Sequence, residues 1–83
     1  MFLAELYLPS TDVQGHRTAS RKAERAAAEL ARGGADIRYV RSVFVPGDEM
    51  CLLLFEADSE QTVALVGATA GLSFDRVVAA ADA

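Results

Sequence analysis

The sequence predicts an α+β fold: a four-stranded antiparallel sheet with two helices on one face. Three observations predict it. Stretches with period-two alternation or β-branched and aromatic composition occur at residues 2–8, 36–45, 49–57 and 73–80. Helical spacing occurs at residues 17–32 and 59–69. Gly, Pro, Ser and Asp cluster between these stretches, where the chain must turn. The 83 residues make a single domain, 1–83.

In FLAELYL, residues 2–8, Phe2, Ala4, Leu6 and Leu8 take one face and Leu3, Glu5 and Tyr7 the other. Pro9 removes a backbone donor and ends the strand. PSTDVQGH is a turn-rich loop. In the helix over 17–32, Ala23, Ala26, Ala27, Leu30 and Ala31 make an apolar stripe, with Arg21, Lys22, Arg25, Glu29 and Arg32 mostly opposite. Gly33-Gly34 stop it by supplying a left-handed residue. A mostly Ala stripe lets the helix sit close to a sheet.

DIRYVRSVFV, residues 36–45, has strand composition, and PGD turns the chain back. In EMCLLLFEA, residues 49–57, Met50, Leu52, Leu54 and Glu56 alternate with Cys51, Leu53, Phe55 and Ala57. Both sets are largely apolar, so this strand lies inside the sheet. Ser59 caps the second helix, Glu60 suits its positive end, and Val63 and Val66, with Leu65, face the core. Gly71 closes that region, SFDRVVAA forms the last strand, and the tail at 81–83 frays.

The order β-α-β-β-α-β is the split-βαβ, or ferredoxin-like, arrangement. Right-handed crossovers give strand order 4-1-3-2 and leave the other sheet face bare. A chain this short buries roughly 60% of its unfolded surface, yet it is 52% hydrophobic. A second copy is the expected cover, giving a homodimer of the dimeric α+β barrel type.

The net charge of −4 argues against nucleic-acid binding. The basic stretch RTASRKAER is interrupted by Glu24, with Glu29 beyond it, and reads as a solvated helix face. MFLAELYL carries Glu5 and no basic n-region, and no apolar run approaches a membrane span. One free Cys fits a reducing compartment. A soluble, cytoplasmic protein is expected.

Facing the helices with the more apolar sets of the first and third strands puts Glu5, Tyr7 and Glu56 on the bare face. The last strand adds Arg76. The second adds either Arg38 and Ser42 or Tyr39 and Arg41; alternation does not decide which. Two close carboxylates need a compensating cation. The cluster is either a metal or small-molecule pocket or a salt-bridged dimer interface. Cys51 sits among Leu53 and Phe55 and reads as a buried structural thiol. His16 reads as an exposed loop residue, and Asp48-Glu49 as a solvated hairpin tip. No phosphate loop, CxxC, HExxH or GxSxG occurs, so no cofactor motif is present.

Three blocks in order carry a family resemblance. FLAELYLP, with Glu5 and Tyr7 before Pro9, is similar to the opening of a small bacterial domain-of-unknown-function family. ADIRYVRSVFVPGDEMCLLLFEADSEQTV resembles its central block, and AGLSFDRVVAA its closing one. The resemblance implies a ferredoxin-like homodimer and, because the family includes a nickel-binding member, divalent-metal binding. His16, Glu5 and Glu56 are the candidate ligands on chemical grounds, with the Met1 amino group and Cys51 the other donors on offer. The fold also resembles the dimeric α+β barrels, which include monooxygenases, isomerases and cyclases. Under that alternative Glu5, Tyr7, Glu56 and Arg76 are the acid–base and anchoring candidates for a small organic substrate. The first expectation is a homodimer binding a divalent metal such as nickel, or a small ligand.

Overall fold

In the computed structural model, which describes residues 1–12 and 14–81, the chain runs β1 (Phe2–Tyr7), α1 (Gly15–Arg32), β2 (Ile37–Val45), β3 (Met50–Ala57), α2 (Glu60–Ala70) and β4 (Arg76–Ala79). A single 3-10 turn, Pro46–Asp48, joins β2 to β3. The four strands form one antiparallel sheet in the order β2-β3-β1-β4, with β3 and β1 central. This is the ferredoxin-like α+β fold. The tail expected to fray, 81–83, includes Asp82 and Ala83, and the expected 9–16 loop includes Val13. All three lie outside the described residues.

The core fills the space between sheet and helices. Ala4 and Leu6 of β1 and Cys51, Leu53 and Phe55 of β3 are buried against Ala19, Ala23, Ala26 and Ala27 of α1 and Val63 and Val66 of α2. The Ala stripe brings α1 close to the sheet, as its composition predicts. Leu30 is only half-buried and Ala31 is exposed, so the stripe is centred nearer the start of the helix. Leu65 is 52% exposed and faces away from the core, contrary to expectation. Its neighbours Val63 and Val66 take the core-facing positions one turn apart, and Leu65 falls between them and the solvent side.

Local chemistry sets the element ends. Ser59 Oγ accepts the backbone N–H of Thr62 at 3.2 Å, capping α2, and Gly71 ends it at φ +71°. At the end of α1 the positive φ belongs to Gly34, not Gly33. The Gly33 N–H instead bonds back to the carbonyls of Glu29 and Leu30. β4 is shorter than predicted, because Ser73 and Phe74 do a different job. Phe74 leans on Phe55, with ring centroids 6.5 Å apart, and packs over α2 at Gly67. A Cβ at Gly67 would lie 3.0 Å from the Phe74 ring and 3.1 Å from the Leu72 carbonyl oxygen. Gly67→Ala gains helix propensity of ~1 kcal/mol, but crowding a backbone carbonyl costs about 1–3 kcal/mol. Net destabilisation is expected, read as a lower urea midpoint; a higher midpoint would mean the Phe74 loop yields freely.

β2 resolves the ambiguity of its alternation with a bulge. Tyr39 pairs with Phe55, and the next paired residue is Arg41, opposite Leu54. The extra residue, Val40, shifts the pattern by one. Arg38 and Arg41 therefore share the open face, while Tyr39, Ser42 and Phe44 lie on the helix side. Neither pairing anticipated from strict alternation survives.

Candidate functional site

Cross-strand register defines the open face. One row across the sheet reads Arg41, Leu54, Leu3, Val78; the next reads Val43, Leu52, Glu5, Arg76; a third reads Val45, Met50, Tyr7. Most of these apolar side chains are half-buried, Val43 and Tyr7 are exposed, and no element among the described residues covers them. The face is an apolar field with charged groups set into it.

Glu5 is the polar centre of that field. Arg76 Nε and Nη2 both reach Glu5 Oε2, at 2.8 and 2.6 Å. The pairing follows from direct register, Glu5 opposite Arg76. The Glu5 side chain is only 17% exposed, whereas Arg76 is 66% exposed. The carboxylate is thus sheltered between Leu52 and the guanidinium. Asp75 finishes the ladder where β4 runs out: its Oδ2 accepts the Tyr7 N–H at 2.7 Å, and its own N–H donates to the Glu5 carbonyl at 2.8 Å. The Tyr7 side chain projects on the same face as Glu5, 55% exposed.

Glu56 shares the face but not the site. Glu5 pairs with Leu52, and Glu56 lies four residues further along β3, ~13 Å away at strand rise. It is bound instead to Arg38 at 2.8 Å, both side chains well exposed. The two carboxylates read from sequence as a close pair each have their own arginine. An exposed pair such as Glu56–Arg38 contributes little.

His16 is on the other side of the sheet. It belongs to α1, not to a loop, because the Gly15 N–H already bonds to the Asp12 carbonyl and helix geometry begins there. Its ring is half-buried and stacks on Phe44, with centroids 5.0 Å apart and planes 6° from parallel. Nδ1 is buried without a hydrogen-bond partner. Asp48 is exposed, but Glu49 is more than a solvated tip. Its Oε2 accepts the Ser10 N–H at 2.8 Å and its carbonyl the Leu8 N–H at 2.9 Å, tying the hairpin to the end of β1. It does so at φ +50°, a left-handed conformation uncommon for a non-glycine residue.

Cys51 is fully buried, and burial pushes its thiol above the ordinary value of 9.0. A raised value keeps the thiol protonated, the opposite of what a nucleophile or metal ligand needs. The folded state holds this proton more tightly than the unfolded state. Its contribution to stability is therefore complete below 9.0 and is lost as pH rises toward the raised native value. Urea midpoints of wild type and Cys51→Ala, compared at about pH 8 and about pH 10, should converge at the higher pH. A gap independent of pH would show the thiol to be untroubled by burial.

Among the described residues no group of three or more His, Cys, Asp and Glu stands close enough to hold a metal ion. Nickel favours imidazole or thiolate donors. Here the imidazole and the two candidate carboxylates lie on opposite sheet faces, both carboxylates are taken by arginines, and the thiol is buried in the apolar core. The described residues of one chain do not fit a nickel centre. Among the described residues no helix is long and apolar enough to cross a membrane. No family model, curated protein or solved structure matches the chain.

Proposed function

We propose that the protein is a homodimer joined through its open sheet faces, and that it binds a small ligand beside Glu5 in the space between them. The observation that carries this is the sheltered Glu5 carboxylate, held by an exposed Arg76, inside an uncovered apolar field. The field of Leu3, Leu52, Leu54 and Val78 favours cover by another sheet. Dry cover over an ion pair costs several kcal/mol unless the remaining polar valences are met. A face that attracts a partner but cannot close dry over its centre favours a small polar chamber. Glu5, Arg76 and Tyr7 would line it and recognise a compact organic molecule.

Divalent-metal binding, which the family resemblance implies, requires donors from both subunits and release of Glu5 from Arg76. The enzyme alternative uses the same chamber, with Glu5 as acid–base and Arg76 as anchor. Native mass spectrometry of tag-free protein separates the readings. The expected result is a dimer carrying a co-purified mass and indifferent to nickel and zinc. Whole-number uptake of nickel in preference to zinc would replace the ligand reading with the metal one. A monomer at micromolar concentration would remove the proposal.

A further inference from the structure

A second site is built on the opposite side of the sheet, between the first half of α1 and β2. The groove there has a volume of about 500 Å3 and is lined by His16, Arg17, Ser20, Arg21, Ser42 and Phe44. Helical spacing makes one wall: His16 and Ser20, and Arg17 and Arg21, are each one turn apart. β2 makes the other wall. Ser42 and Phe44 sit opposite Leu53 and Cys51, on the helix-facing side that the bulge at Val40 selects. The walls are tied together by the Ser20–Ser42 hydroxyl hydrogen bond and the His16–Phe44 stack.

The charge of the groove is unusual for this chain. Acidic residues outnumber Lys and Arg by 12 to 8 overall, yet none lines the groove. Asp12, held against Gly15 at the start of α1, is not among its walls. Among the described residues neither Arg17 nor Arg21 joins an ion pair. Like charges one turn apart repel, and although Glu24 lies one turn from Arg21, Arg17 has no acidic residue three or four positions away to offset its charge. His16 Nδ1 adds a buried polar atom without a partner, a feature that folded proteins commonly resolve with a bound water or ion.

We propose that this groove binds a small molecule through an oxyanion, a phosphate or a carboxylate. Two guanidiniums present paired N–H donors that match oxyanion geometry. The two serine hydroxyls add donors that can rotate to fit. The groove has room for such an oxyanion as one group of a larger organic ligand. The groove and the open face lie on opposite sides of the sheet, and each proposal stands or falls alone.

The test is an amide-resolved NMR titration of the full chain with sodium phosphate, with sodium acetate, and with sodium chloride as the ionic-strength control. Phosphate or acetate should give saturable shifts at residues 16–21 and 42–44, and chloride should not. Tighter binding of phosphate assigns a phosphorylated ligand; acetate binding as tight or tighter assigns a carboxylate. The double variant Arg17→Gln/Arg21→Gln should weaken the apparent Kd about ten-fold or more, while Arg32→Gln at the far end of α1 leaves it unchanged. Both replaced arginines are exposed, and unshifted amides in β1 and β3 verify that the double variant is folded. An apparent Kd unchanged in the double variant, shifts that chloride reproduces, or shifts that never saturate with either anion overturn the proposal.

Discussion

Phe55→Ala is expected to remove about 3–5 kcal/mol of folding free energy. Phe55 is fully buried on a central strand, paired to Phe2 on one side and Tyr39 on the other. Tyr39 meets its ring edge-on at 5.9 Å, and Phe74 leans on it from the segment before β4. The ring therefore joins three parts of the chain that are distant in sequence. A chain of 83 residues has roughly 4–12 kcal/mol in total at the usual stability per residue. The substitution should consume a large fraction of it. Urea unfolding at fixed protein concentration is the measurement, since the proposed dimer would make the midpoint concentration-dependent. A loss under about 1 kcal/mol would mean the cavity closes by local collapse, and that Phe74 can move where the structure has it wedged.

The same residue shows what could be read from the sequence and what could not. Cys51, Leu53 and Phe55 alternate with Leu52, Leu54 and Glu56, and a single charge is enough to orient β3. Burial then follows from period two alone. Ser59 before Glu60 announces α2 in the same local way, and the element order gives the topology. Failures begin where structure depends on pairing between distant strands. The bulge at Val40 has no local signature, so Arg38 and Arg41 could not be placed on one face in advance. Glu5 and Glu56 share a face in both accounts, but their separation is a matter of register. Register aligns Glu5 with Leu52 and with Arg76. His16 was hidden for a related reason: without knowing that Phe44 faces the helices, nothing extends α1 past its arginines. One feature of the groove is local to the sequence. Arg17 and Arg21 are spaced for a single helix face, and Arg17 has no acidic residue three or four positions away.

Leu52→Glu is expected to convert the proposed dimer to a folded monomer. Leu52 stands between Val43 and Glu5 on the open face and is half-buried in the single chain. Within one chain the new carboxylate can remain hydrated, so the fold should survive with a modest loss from like charge beside Glu5. In a two-fold dimer every substitution occurs twice in one interface. Each unpaired charge taken from water costs several kcal/mol, so the dimer Kd should rise by roughly a thousand-fold or more. Sedimentation velocity reads the association and circular dichroism the fold. A variant that remains dimeric would move the interface to another surface, the exposed edge of β2 being the next in line. Glu5→Gln is the companion that separates a chamber from a plain interface. It removes the charge that resists dry closure, leaving an amide of nearly the same shape opposite Arg76. A plain interface should hold at least as tightly without that carboxylate, and nothing bound would be lost because nothing was bound. A chamber should keep its dimer and release the co-purified mass, because the ligand was held by the charge that the apolar field around it could not satisfy.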